Sequence, residues 1–286
     1  MQHLKLEAES LHAEYALNGG ATAPGPAPIS CIICAFNEAP RIAAVLTVAS
    51  AHPLLHEVIV VDDGSTDDTA EIVKRFPSVK LISHPVNRGK SFAMATGVAA
   101  AKCDLLMLLD ADLTGIGVEH ITALAAPVLS GKAEVSLSLR HNSLLIFRAT
   151  GLDFVSGERV IRKELLSEAL EEICRLPRFG IEVFMNRAII ARRLSISVAH
   201  WPQVTQARKT EKLGYWKGIR AEWRMIADLL QVAYPALLLS QTWHMLSLRV
   251  DHAPPVGSWV RRVRRSYNAP WRSLLAKQDP ARNSSR

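Results

Sequence analysis

Beginning at Ile29, short apolar runs recur along the chain, and each is followed by a stretch whose apolar positions fall three and four apart. "ISCIICA" (29–35) leads into a helical pattern opened by "NEAPRI" (37–42), and "EVIVVD" (57–62) leads into "STDDTAEIVKRF" (65–76). "VKLIS" (79–83) and "LLMLLD" (105–110) likewise precede "KSFAMATGVAAAK" (90–102) and "VEHITALAAPVLSG" (118–131). Nearly unbroken apolar runs suit strands covered on both faces, and their alternation with helices predicts an α/β fold with a mostly parallel central sheet flanked by helices. In such sheets ligands gather beyond the carboxyl ends of the strands.

The second half is less regular. "AEVSLSLR" (133–140) alternates as a half-exposed strand does, "RKELLSEALEEICRL" (162–176) and "GIEVFMNRAIIARRL" (180–194) read as helices, and "SISVAH" (195–200) as a short strand. Further on, Ile219, Trp223, Ile226, Leu230 and Tyr234 recur at helical spacing, which predicts amphipathic helices in the C-terminal part. Residues 1–28 form an extension that ends in the Gly/Pro-rich "NGGATAPGPAP"; residues 29–218 are expected as the main domain, and 219–286 as C-terminal helices and a tail.

Composition adds bounds. A chain of 286 residues with 49% hydrophobic content can bury a large core. Met1 to Leu17 lacks a basic start followed by an apolar run, so no cleaved leader is expected. No apolar stretch reaches membrane-span length, "LLQVAYPALLL" (229–239) included, and a cytoplasmic location follows as the expectation. Cys31 and Cys34 form a C-x-x-C inside an apolar strand, where positions three apart face opposite sides, so they read as buried thiols. Between Arg261 and Arg286 eight basic residues stand against Asp279 alone, so the tail carries the whole formal charge of +7. Interleaved with Trp259, Tyr267 and Trp271, this tail suits an anionic membrane surface, with peripheral association at the inner face of the cell membrane; nucleic acid is not the expected partner. Ser65 and Asp68 have capping-box spacing, which makes part of the acidic cluster after "VIVVDD" structural.

The chemistry concentrates at "LLMLLDADLT". Asp110 and Asp112 leave a buried strand one residue apart, and two such carboxylates repel unless a cation lies between them or one is protonated. Hard oxygen ligands select Mg2+ or Mn2+, whose open positions accept phosphate oxygens.

With that motif in place, "CAFNEA", "VIVVDDGSTDDT", "NRGKSFAMATGVAAA" and "LLMLLDADLT", in this order and at these separations, resemble the nucleotide-sugar half of glycosyltransferase family 2 from Ile29 to Thr114. The nearest subfamily in character is the polyprenol-phosphate and dolichol-phosphate glycosyltransferases. The resemblance implies a GT-A fold, Rossmann-like, and an inverting, metal-dependent transfer of a sugar, a hexose foremost, from a UDP- or GDP-sugar. It further implies that Ala35, Phe36, Glu38, Asp62 and Asp63 hold the nucleoside, that Gly89 and Lys90 sit beside the phosphates, and that Asp110 faces ribose and metal with Asp112 the more direct ligand. Phe36 stands where the family has Tyr, and Cys34-Ala35 where it has Pro. His200 is a further metal ligand by analogy with relatives that use a late histidine.

The acceptor side is open. A hydroxyl acceptor needs a general base, for which Asp153, Glu158 and Glu182 are candidates; a lipid phosphate needs none. The absence of the family's frequent Glu-Asp pair leans toward a polyprenyl phosphate, with a soluble small molecule or glycan as the alternative. In "SGERVIRK" Ser156, Gly157, Arg159 and Arg162 are then phosphate contacts, and the basic segment "QARKTEKLGYWKG" (206–218) adds Lys209 and Lys212. Two rivals share the motif. "DADLT" also fits the nucleophile loop of haloacid-dehalogenase-type phosphatases, but three β-α units precede it here. A non-catalytic membrane-surface scaffold on the same fold is the other. A nucleotidyltransferase would need a Gly-rich first loop, and "CAFNEA" has no glycine.

Overall fold

The computed structural model describes residues 27–177, 180–206 and 235–250. Strands β1 (Ile29–Ala35), β2 (Leu55–Asp62), β3 (Val79–Ser83) and β4 (Leu105–Asp110) alternate with helices Ile42–Ala49, Thr69–Lys74 and Lys90–Ala100. After a short β5 (Leu113–Thr114) come the helix Val118–Leu129, β6 (Val135–Arg140), β7 (Arg159–Arg162), the helix Gly180–Arg192, β8 (Ile196–Trp201) and β9 (Thr205–Gln206). The main sheet has the order β3-β2-β1-β4-β7-β6-β8, and every pairing in it is parallel except those of β7. This is the mostly parallel sheet expected, with helices on both faces.

Strand alternation divides the core. Ile32, Leu106 and Leu108 enter one apolar cluster, while Cys31, Ile33, Leu105, Met107 and Leu109 enter the other. Both layers exclude water, so β1 and β4 are apolar on both sides. Cys31 and Cys34 are free thiols on opposite faces, and burial pushes the Cys34 thiol up to about 12. In register, Cys34 lies beside Asp110 and Ala35 beside Asp62, so the acidic strand ends share one edge. That edge is the reversal point of the strand order, where β1 pairs with β2 on one side and β4 on the other.

Four local expectations change. β6 is buried along its length rather than half-exposed, because its serines find partners inside: Ser136 donates to the Leu124 carbonyl and Ser138 to Glu158. Residues 159–162, expected as an acceptor segment, form strand β7, antiparallel between β4 and β6. The segment 162–176 breaks into two short helices, Glu164–Ser167 and Leu170–Cys174, with Ala169 at φ −131° between them. No capping box forms at Ser65 and Asp68: the helix starts at Thr69, Asp68 makes no side-chain cap, and Ser65 instead accepts from the Asn37 backbone.

The helix Pro235–Ser247 packs against Gly180–Arg192, buries Met245 in the first apolar cluster, and is followed by a bridge between Ile196 and Arg249. The compact unit that contains the sheet ends at Asp251. The helical pattern at 219–234, the boundary expected at 218 and the basic tail lie outside the described residues. No helix among the described residues is long and apolar enough to cross a membrane.

Candidate active site

Loops after β1 and β2 are stitched together at the carboxyl edge. Asn37 donates its N–H to Ser65 and accepts from the Thr66 backbone, while Glu38 and Ala39 donate their N–H groups to Thr69 and Asp67. Glu38 spends a carboxylate oxygen on Arg41, at 2.6 Å. Phe36 stands out from this frame, 43% exposed, one residue beyond Ala35, which pairs with Asp62. One oxygen of Asp62 accepts from the Ser65 backbone at 3.2 Å.

Asp63 has a different task from the one expected. Its carboxylate accepts the backbone N–H groups of Arg88 (3.1 Å) and Gly89 (2.7 Å) and bonds His84 Nδ1 at 2.8 Å, all while 3% exposed. The side chain organises the 84–89 loop and has little left for a base. Gly64, at φ +73°, is needed in the same corner because a Cβ there would lie 2.5 Å from the Val86 backbone. Gly89, at φ +92°, then opens the helix Lys90–Ala100 and delivers Lys90 to the acidic pair.

Lys90 Nζ lies 2.9 Å from both Asp110 Oδ1 and Glu182 Oε1. Desolvation alone would depress its pKa, but those two carboxylates reverse the effect and hold it well above the usual lysine range, although 40% of the side chain stays exposed. Burial would raise Asp110, yet Lys90 and Arg140 hold it below its ordinary value. Asp112 feels Lys90 only weakly. Burial and the charge of Asp110 push it up to about 7, opposed by a hydrogen bond from Gln206. Gln206 Nε2 donates to Asp110 Oδ2 at 3.1 Å and to Asp112 Oδ1 at 3.0 Å. The β5–β9 pairing and Asn142, which bonds both backbone groups of Gln206, fix its place.

Behind this layer Arg140 binds Glu158, lies 3.7 Å from Asp153 Oδ2 and reaches within 3.9 Å of Asp110. Asp153 also accepts from Ser143 and the Val155 backbone, and burial raises its pKa. Glu158 is fully buried and held by Ser138, Ser156 and Arg140, so it has no access to substrate. Glu182 differs. Its Oε1 meets Lys90, while Oε2 is buried with no hydrogen-bond partner.

The expected acceptor contacts mostly move. Gly157 does line the site, since a Cβ on it would fall 2.7 Å from Asp110 Oδ1 and 2.9 Å from Lys90 Nζ. Ser156 is fully buried against Ser138 and Glu158. Arg159 is fully buried too, its guanidinium donating to the Ser156 and Phe154 carbonyls and to Asn186, and burial lowers it to about 10. A side chain so committed cannot grip a phosphate. Arg162 pairs with Leu105 at the amino end of β4, about 16 Å from Asp110 at strand rise. His200 lies on β8, three strands from β4 and about 14 Å away at strand spacing, and does not join the acidic pair. Lys209 and Lys212 lie outside the described residues.

The donor set suits a hard divalent cation. Around the pair, the carboxyl groups of Asp110, Asp112, Asp153, Glu158 and Glu182 outnumber the cations Lys90, Arg140 and Arg159. No cluster of three His, Cys, Asp or Glu converges among the described residues. Two carboxylates with room for water and phosphate oxygens are a common arrangement for Mg2+. Sequence reasoning gave neither Arg140 nor Gln206 a role at the pair; Arg140 ends the largely buried strand β6, whereas Gln206 ends the two-residue polar strand β9 and carried no such cue.

Residues 30–136 match the model of glycosyl transferase family 2. A glucosyl-3-phosphoglycerate synthase of Mycobacterium tuberculosis is 32% identical over 178 residues, covering 57% of this chain and 54% of that protein. A dolichyl-phosphate beta-glucosyltransferase of Trichomonas vaginalis is 38% identical over 94 residues, 28% of each chain. The chain thus spans from about a quarter to about half the length of these curated relatives. The crystal structure of the mycobacterial synthase with Mn2+, uridine diphosphate and glucosyl-3-phosphoglycerate superposes with a TM-score of 0.59 at 22% identity, covering 82% of this chain and 84% of that one. Residues 30–136 thus resemble glycosyl transferase family 2, and the chain shares the GT-A-type fold of the mycobacterial synthase.

Proposed function

We propose that this protein is a metal-dependent glycosyltransferase that moves a sugar from a uridine-diphosphate donor to a hydroxyl group of a small soluble acceptor. The observation that carries the reading is the pair Asp110 and Asp112 at the end of β4, short of positive charge and flanked by Lys90 and Glu182. One relative supports the donor and acceptor classes: the mycobacterial synthase is solved with uridine-diphosphate-glucose, Mn2+ and phosphoglyceric acid, and shares this fold over most of the chain.

Phe36 stacks on the base, and Asp62 accepts from a base N–H with the oxygen Ser65 leaves free. Lys90, at the start of its helix, binds the diphosphate, whose arrival competes for the ammonium now shared by Asp110 and Glu182. Asp112 and Asp110 would hold a divalent cation, Mg2+ or Mn2+, which would supply charge stabilisation to the departing nucleoside diphosphate. Glu182, whose buried Oε2 has no hydrogen-bond partner to give up, turns that oxygen toward the incoming hydroxyl and takes its proton, and one in-line displacement inverts the sugar carbon. Asp153 is unsuited to that step because both its oxygens are already bonded.

A lipid-phosphate acceptor is the second reading, supported by the dolichyl-phosphate relative. The two readings separate in one experiment. Transfer from uridine-diphosphate-glucose with Mn2+ is assayed on 3-phosphoglycerate and on a polyprenyl phosphate, with wild type and Glu182→Gln. The proposal expects product on the soluble acceptor and a loss of at least ~10²-fold in Glu182→Gln. Turnover on the lipid alone, insensitive to Glu182→Gln, would overturn it.

A further inference from the structure

Among the described residues, Gln206 is a neutral side chain that touches both carboxylates of the pair. Its Nε2 sits 3.1 Å from Asp110 Oδ2 and 3.0 Å from Asp112 Oδ1, an amide hydrogen for each. Neighbouring ligands of an octahedral cation with bonds of about 2.1 Å are about 3 Å apart. The amide nitrogen therefore stands at the spacing of a third ligand, although a nitrogen carrying two hydrogens cannot ligate. Rotation about the last side-chain bond exchanges Nε2 with Oε1 and brings a carbonyl oxygen to that position, with no movement of backbone.

Resting on the metal site of the proposed function, we infer that Gln206 is a third protein ligand of the divalent cation and that its amide turns over when the cation arrives. With the cation absent, N–H groups bridge the two negative oxygens; with it bound, Oε1 faces the positive charge. One residue thus satisfies the site in both states. The backbone is built to hold it there: Leu113 pairs with Gln206 across β5 and β9, and Asn142 bonds the Gln206 N–H at 3.2 Å and its carbonyl at 2.8 Å. Carbonyl oxygen is a hard donor of the same class as the carboxylates, and being neutral it adds no charge to the acidic pair.

The test is Mn2+ binding, followed by the electron paramagnetic resonance signal of free Mn2+, with the metal alone and with uridine diphosphate. Wild type, Gln206→Met and Gln206→Glu are compared, with thermal unfolding to confirm that each is folded. Gln206→Met keeps length but has no oxygen, and its Mn2+ affinity should fall at least ~10-fold, whereas Gln206→Glu should recover wild-type affinity or better. If the amide only fills the gap and must be expelled, Gln206→Met binds Mn2+ as tightly as wild type or more tightly, and the inference is overturned. Absence of Mn2+ binding by wild type in both arms would overturn the metal site itself, a result distinct from failure of Gln206 alone.

Discussion

Asp112 is the residue whose surroundings suit its charge least while no cation is bound. Its carboxyl lies at about 7 because it is buried beside Asp110, against about 3.9 in an unfolded chain. Between those values the folded protein binds more protons than the unfolded one, so the stability this group lends is present at low pH and lost as pH rises through 7. Asp112→Asn removes that loss. In EDTA, the melting temperature of the variant relative to wild type should climb from pH 5 to pH 8, and a constant difference would mean that Asp112 is not held in its acid form. Asp63 makes the opposite point at the same scale. Asp63→Asn sets an amide N–H against the backbone donors of Arg88 and Gly89, and urea unfolding without nucleotide should reveal a loss of roughly 1–3 kcal/mol. Unchanged stability with weakened nucleotide binding would return Asp63 to the base site. The sequence placed both aspartates at the strand end; only the loop geometry separated ligand from latch.

Among elements, the first four strands and their helices were legible because an apolar run covered on both faces has few other readings. β7 was not. Its flanks, Glu158 and Arg159, look like exposed chemistry in a one-dimensional pattern, and the partners that allow their burial, Arg140, Ser138 and Asn186, come from other segments. The alternating serines of β6 misled for the same reason, since a buried hydroxyl with a partner is silent in a hydropathy pattern. Arg140 joins these elements. Arg140→Met would leave Glu158 and Asp153 buried without their cation, and a loss of about 3–5 kcal/mol in denaturant unfolding is expected. Adding Glu158→Gln to Arg140→Met should recover part of that loss. A strictly additive double variant would mean that the pair does not couple.

Across the whole molecule, both motifs and charge are unevenly spread along the chain. The first half carried four motifs in register, which let roles be proposed for its residues by position, whereas the proposed acceptor side depends on contacts between segments far apart, such as Gly157 with Asp110 and Lys90. Specificity lives in those contacts, and no short motif reports them. The basic tail after Val260 holds the net charge of the chain, and each basic residue near an anionic surface contributes about 1 kcal/mol. Co-sedimentation with phosphatidylglycerol vesicles should therefore be salt-sensitive for the full chain and absent for a chain ending at Val260. Equal binding by both would remove the tail from the account.

The central claim is that Asp110 and Asp112 hold a divalent cation that in turn holds a nucleoside diphosphate. Calorimetric titration of uridine diphosphate into the full chain, in Mn2+ and in EDTA, with wild type and Asp112→Asn, tests it directly. The account predicts that wild type binds at least ~10-fold more tightly in Mn2+ than in EDTA and that Asp112→Asn loses this dependence. Equal affinity of wild type in Mn2+ and EDTA, or no binding in either, would contradict it.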